Sequence, residues 1–172
     1  MSDLMIDIET LSVLPNATIL TIGAQGFDPF SDRFTDVTYY ERVDLESQDG
    51  RDIDDSTVEW WGKQSADAQE EALGDENRIA LQEALAKLSK LIWKSDRIWS
   101  NGSFDFTILE DAFRQYNLPL PWKYWQVMEM RTILKLTPQV GKLGNNHNAL
   151  ADCVNQIDLL QKSLKILNVK KF

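Results

Sequence analysis

Leu4-Met5-Ile6-Asp7-Ile8-Glu9-Thr10 is an apolar, strand-like segment that carries two carboxylates. Side chains alternate faces along a strand, so Leu4, Ile6 and Ile8 point one way and Met5, Asp7 and Glu9 the other. Two acids on one face of an otherwise apolar strand repel each other and resist desolvation. Something positive normally compensates them, and divalent cations that prefer oxygen do this well. An edge strand with one wet face would carry the same pair, so D-x-E decides little by itself.

The 172 residues suit one domain, residues 1–172, large enough for a core without staples. Hydrophobic content of 43% and charged content of 26% are those of an ordinary globular chain. A single cysteine, Cys153, excludes an intrachain disulfide, argues against a cysteine zinc site and reads as a small buried side chain. No stretch is long and apolar enough for a membrane span, and the N-terminus lacks a basic region followed by an apolar one. The expectation is a cytoplasmic protein with no membrane partner. The net charge of -9 argues against coating long duplex nucleic acid, where Lys and Arg supply the affinity. A grip on a few terminal nucleotides stays open, because bound metal changes the local sign of charge.

Outward from the first segment, residues 17–28 and 36–44 are rich in β-branched and aromatic residues and read as two further strands of a meander. Residues 46–55 read as a loop, and Ser56 and Glu59 have capping-box spacing before Trp60 and Trp61. Another short helix begins at Ser65. Leu81, Leu85, Leu88 and Ile92 form one helical stripe within residues 78–94. Residues 97–100 read as a short buried strand, residues 104–117 as a helix stopped by Leu118-Pro119, residues 126–130 as a last strand and residues 131–136 as a helical turn. The final helix, residues 148–168, is expected to bury Leu150, Val154, Ile157, Leu160 and Leu164. An antiparallel opening followed by alternating helices and strands predicts an α/β fold, a mixed sheet of about five strands flanked by helices.

Three more acidic or basic positions stand at element ends. Asp105 follows Asn101-Gly102-Ser103-Phe104, where a strand turns into a helix; an acid there also complements the helix dipole. His147, the one histidine, lies in the Gly/Asn-rich stretch 144–148. Asp152 follows five residues later, and five helical residues turn about 140°, so the pair can act together only with His147 on the loop and Asp152 on the helix. Asp152 lies off the Leu150/Val154/Ile157 stripe, so it is not expected to be a core acid; a solvated position that complements the helix dipole is the alternative to a functional role.

Asp7-Ile8-Glu9, Asn101-Gly102-Ser103-Phe104-Asp105 and His147-Asn148-Ala149-Leu150-Ala151-Asp152 resemble, in order, the D-x-E, N-x-x-F/Y-D and H-x-A-x-x-D motifs of the DEDDh exonucleases, also called DnaQ-like or RNase T-like. The texture of Asp7-Ile8-Glu9-Thr10-Leu11 and Thr57-Val58-Glu59-Trp60-Trp61 resembles a phage and prophage branch, exodeoxyribonuclease VIII-like, which an exoribonuclease group also resembles. The resemblance spans nearly the whole chain. It implies an RNase H-like fold and a 3′→5′ exonuclease that releases nucleoside monophosphates from single-stranded DNA or RNA 3′ ends. It also implies two Mg²⁺ or Mn²⁺ ions, a bacterial host cytoplasm if the chain is phage-encoded, and, since relatives often pair, leaves a homodimer open.

The chemistry matches that implication. Phosphodiester hydrolysis needs an activated water, charge stabilisation at phosphorus and help for the leaving oxygen, which two metal ions about 3.5–4 Å apart supply. Four acids and one histidine suit Mg²⁺ or Mn²⁺ rather than zinc. By the resemblance, Asp7 bridges both metals, Glu9 and Asp152 complete the site that activates water, Asp105 acts on the second metal and His147 is the general base. Trp60 and Trp61 point about 100° apart on a helix, so either both are core or one is core and the other free to stack on a base; Thr10, Leu11, Trp61 and Asn101 are the candidate nucleotide contacts. Arg131 meets a phosphate or pairs with an acid. Three alternatives are weighed against this: an oligoribonuclease trimming RNA, a module that binds nucleic acid without cleaving it, and a two-carboxylate glycosidase, which leaves His147 without a role.

Overall fold

The computed structural model describes residues 2–144 and 147–172; Asn145 and Asn146, part of the Gly/Asn-rich stretch, lie outside the described residues. Strands β1 (Asp3–Thr10), β2 (Ile19–Phe27) and β3 (Phe34–Val43) form the antiparallel meander, followed by helices α1 (Asp55–Trp61) and α2 (Ala66–Leu73). Then come β4 (Arg78–Ile79), α3 (Leu81–Ile92), β5 (Ile98–Ser100), α4 (Phe104–Gln115), β6 (Val127–Glu129), α5 (Met130–Leu136) and α6 (Ala149–Ile166). The sheet order is β4-β3-β2-β1-β5-β6, with β4, β5 and β6 each parallel to a neighbour.

Among the described residues the sheet has six strands where about five were expected. The extra one, β4, pairs Arg42 with Arg78 and Val43 with Ile79, and merges in sequence with the helical stripe that follows. The stripe itself holds: Leu81, Leu85, Leu88 and Ile92 are fully buried. Helix α1 begins two residues earlier than the Ser56/Glu59 box implies, because the Asp54 carboxylate takes the Thr57 amide at 2.9 Å and acts as N-cap. Ser65 caps α2 as read.

Central β1 is buried on both faces, as its alternation requires. Leu4, Ile6 and Ile8 pack with α3 and α4 residues such as Leu85, Leu88, Leu109 and Phe113. Met5 packs on the opposite face with Trp99, Cys153, Ile157 and Leu160. Helix α6 lies on that second face in a different phase from the one expected. Ile157, Leu160 and Leu164 are buried, but Val154 is 38% exposed, Leu150 is partly exposed, and Asp152 and Gln156 face inward. Small residues set the phase. Ala149 sits on β2 and the Cys153 thiol lies 3.6 Å from the Met5 carbonyl and 3.5 Å from that of Gly23, positions that a count of large apolar side chains passes over.

Gly23 makes this docking possible. It is the cross-strand neighbour of Asp7, and a β-carbon there would fall 2.6 Å from the Ala149 carbonyl oxygen and 2.5 Å from the Leu150 nitrogen. Those atoms are backbone, so the start of α6 can rest on the sheet beside Asp7 only over a residue without a side chain.

Candidate active site

The acids meet where the sheet splits. Strand β5 pairs with β1 only at Leu4 and Met5, so the β5-facing edge of β1 is open beyond them. Asp105, in the first turn of α4, fills that gap by accepting the Ile8 amide at 3.1 Å. Asp7 and Glu9 project from the Met5 face of β1 toward α6, which delivers Asp152 from its first turn. Carboxylate oxygens of Asp7, Glu9 and Asp152 all lie within 4.8 Å of one another. Asp105, 5% exposed, and Asp152, 9% exposed, are buried rather than surface acids. The expectation that Asp152 is not a core acid is thus corrected, and the cause is the shifted phase of α6.

The electrostatics are those of crowded, dehydrated anions. Burial pushes the Asp7 carboxyl well above its ordinary value, with Asp105 and Glu9 adding repulsion and the Gln156 amide pulling it back. Burial, then Asp152 and Asp105, push Glu9 up to about 8. Burial raises Asp105 to about 6, against backbone hydrogen bonds and Arg131, which lower it. Protons or a cation must neutralise such a cluster at neutral pH. The donor set is all oxygen, which fits Mg²⁺ or Mn²⁺.

A cavity of about 280 Å³ opens on the cluster and is lined by the four acids, Asn101, Phe104, Arg131, His147 and Gln156 among others. His147 sits just before the Asn148 cap of α6, which holds the Ala151 amide at 2.8 Å. The helix loop placement expected for His147 is observed. Its φ of 52° is left-handed, and the other described non-glycine residues with positive φ are all asparagines. That conformation costs about 1–3 kcal/mol and is typical of functional positions. Its ring makes edge contacts with Trp60 (centroids 4.9 Å apart) and Trp61 (5.9 Å).

Of the expected nucleotide contacts, Trp61 is 1% exposed, packs with Leu11, Leu20 and Ala72, and donates its indole N–H to the Thr10 carbonyl at 2.9 Å. Leu11 is 5% exposed in the same cluster. Trp60, 42% exposed, is the free ring of the pair. Thr10 lines a neighbouring cavity of about 430 Å³ with Val13, Trp60, Trp61 and Phe104. Asn101 lines the acid cavity; its side-chain oxygen is buried without a partner, and its carbonyl accepts from Arg131 at 2.9 Å. Gly102, at φ 118°, leaves room for the Arg131 guanidinium 3.5 Å from where a β-carbon would stand.

Two residues escaped the sequence reading. Gln156 donates its amide to Asp7 at 2.7 Å while its oxygen is buried without a partner in the acid cavity. Its spacing of four from Asp152 places both on one helical face and was the available signal. Gly23 gives no signal from one sequence, since its need arises only from the strand register and the seat of α6.

A mixed sheet that gathers four acids and a histidine at one end defines a phosphodiester hydrolase of the RNase H-like fold. Comparison with known proteins agrees. Residues 2–164 match the 3′-5′ exoribonuclease Rv2179c-like domain. The exodeoxyribonuclease of Enterobacteria phage T4 is 27% identical over 206 residues, covering 96% of this chain and 90% of the phage protein. Among solved structures, cell-death related nuclease 4 (CRN-4) superposes with a TM-score of 0.69 at 15% identity, over 98% of this chain and 65% of that one. The nuclease domain of 3′hExo, a DEDDh family member bound to rAMP, gives 0.67 at 15% identity, over 96% and 92%. The chain belongs to the 3′-5′ exoribonuclease Rv2179c-like family and is a 3′→5′ exonuclease of the DEDDh type.

Proposed function

We propose that this exonuclease hydrolyses single-stranded DNA or RNA 3′ ends one nucleotide at a time, using two Mg²⁺ or Mn²⁺ ions held by Asp7, Glu9, Asp105 and Asp152. The observation that carries the reading is the convergence of Asp7, Glu9 and Asp152 within 4.8 Å, with buried Asp105 tied to Ile8 beside them. The bound ions would supply charge neutralisation at the phosphate and acidify the attacking water. His147, on the rim of the same cavity, takes the proton of that water as general base. Attack at phosphorus breaks the bond to the 3′ oxygen of the preceding nucleotide and releases a nucleoside 5′-monophosphate.

The chain's own groups orient the substrate. Gln156 fixes the Asp7 carboxylate at 2.7 Å. Arg131, the one lysine or arginine among the described residues lining the acid cavity, meets a phosphate there. Thr10, Trp60 and Phe104 border the adjoining cavity and contact the terminal nucleotide, with Trp61 and Leu11 holding its wall in place. Asn101 offers its unpartnered side-chain oxygen to the sugar. The catalytic positions are complete, which favours an enzyme over an inactive binding module. No helix among the described residues is long and apolar enough to cross a membrane. The phage relative is consistent with action in the cytoplasm of a bacterial host.

The family description names RNA and the phage relative's name specifies DNA, so both belong in the test. A time course with end-labelled single-stranded DNA, duplex DNA and RNA, in Mg²⁺, Mn²⁺ or EDTA, should show stepwise 3′ shortening only with metal. Cleavage at full rate in EDTA, or efficient cutting of a circular single strand, would overturn the reading.

A further inference from the structure

A second concavity adjoins the acid cavity across the turn at residues 101–104. Asn101 and Phe104 line the acid side, while Gly102 and Ser103 line a groove of about 410 Å³ with Phe106, Thr107, Leu120, Trp122 and Tyr124. The groove runs between α4 and β6, one of the two edge strands of the sheet. Its floor is packed into the core: Trp122 is 6% exposed and packs edge-on against Phe113 at 5.5 Å and beside Phe106 at 5.9 Å. Tyr124, at its mouth, is 86% exposed, and its neighbour Trp125 is 64% exposed. The Tyr124 ring therefore offers an open aromatic face with a hydroxyl at its rim, directly over the groove.

We propose that this groove is a subsite for the nucleobases upstream of the scissile bond, with Tyr124 as a stacking face. The inference rests on the exonuclease reading above. A strand whose last nucleotide occupies the acid cavity must leave it, and the groove begins on the other side of the same turn. Arg131 stands at the crossing, its guanidinium beside Gly102, where a phosphate would pass. The one charged side chain in the groove, Glu110, is paired with Arg114, so little unpaired negative charge opposes the strand. Stacking on aromatic side chains tolerates any base, as an exonuclease working along a strand requires.

The test compares an eight-nucleotide DNA with thymidine 5′-(p-nitrophenyl phosphate), which has the terminal nucleotide but nothing upstream; both are assayed with Mn²⁺. The quantity read is the ratio of their kcat/KM values. Tyr124→Ala should lower that ratio about tenfold, within the range for loss of one stacked base. Thr107→Glu, which adds negative charge inside the groove, should lower it, and Thr107→Lys should raise it. A ratio that stays at the wild-type value in all three variants, or rates on both substrates falling together, would overturn the subsite. So would a wild-type dimer in sedimentation that Tyr124→Ala dissociates, which would assign the surface to a second copy. If wild-type protein cleaves neither substrate, the exonuclease reading itself has failed.

Discussion

Asp3 and Asp7 lie on the same face of the same strand, four residues apart, yet they are treated in opposite ways. Asp3, 1% exposed at one end of β1, receives Arg97 at 2.9 Å and the Trp99 indole at 2.7 Å, and the Phe172 ring covers Arg97 at 4.9 Å. Burial still raises its carboxyl, but the two donors pull it back. Asp7, at the other end, has the Gln156 amide at 2.7 Å and three acids for company. One end of the strand carries its compensating charge within the chain; the other needs it from outside. Under the proposed function, that difference separates a structural acid, Asp3, from a candidate metal ligand, Asp7, better than burial or residue type does.

The largest effect should come from Asp7→Asn, which is expected to reduce 3′ trimming to background in end-labelled assays, as EDTA does to the wild type. His147→Ala should keep the fold by circular dichroism and lose about 10²–10⁴-fold in kcat. Gly23→Ala forces backbone at Ala149 to move, so Asp152 shifts with it. A misplacement of about 1 Å can cost about 10²-fold in rate, with about 1–3 kcal/mol of stability lost to overpacking; denaturation and kcat measure the two. Asp3→Asn should do the reverse of Asp7→Asn, losing about 1–3 kcal/mol as Arg97 goes unpaired, with kcat per folded molecule unchanged.

The smallest effect concerns pH. The folded-state carboxyls of Asp7, Glu9 and Asp105 lie above their ordinary values, Glu9 at about 8 and Asp105 at about 6. A raised acid supports the folded state while protonated, so its contribution is whole below the ordinary carboxylate range and is lost as pH rises through the folded value. Metal-stripped Glu9→Gln should therefore match the wild type in melting temperature near pH 4 and exceed it near pH 9. Added Mn²⁺ should remove that advantage. A constant difference across the range would show that the cluster is not strained by charge.

Much of this was legible in the chain. Alternation in residues 4–10 placed Asp7 and Glu9 on the Met5 face, and the three motifs carried the remaining acids and His147. What escaped depends on register and small residues. Alanine and cysteine set the phase of α6, so counting large apolar side chains left Asp152 off the buried stripe and passed over Gln156. The two-residue β4 was absorbed into the helical stripe that follows it. Which of Trp60 and Trp61 is buried follows from the bond to the Thr10 carbonyl, a contact 51 residues apart in sequence that no local pattern encodes.

The most direct test of the contrast between the two ends of β1 is calorimetric titration of Mn²⁺ into metal-stripped wild type, Asp3→Asn and Asp7→Asn at neutral pH. Wild type and Asp3→Asn should bind saturably with the same affinity, and Asp7→Asn should show no binding at the site. Equal binding by Asp7→Asn, or none by the wild type, would contradict a metal centre at the Asp7 end.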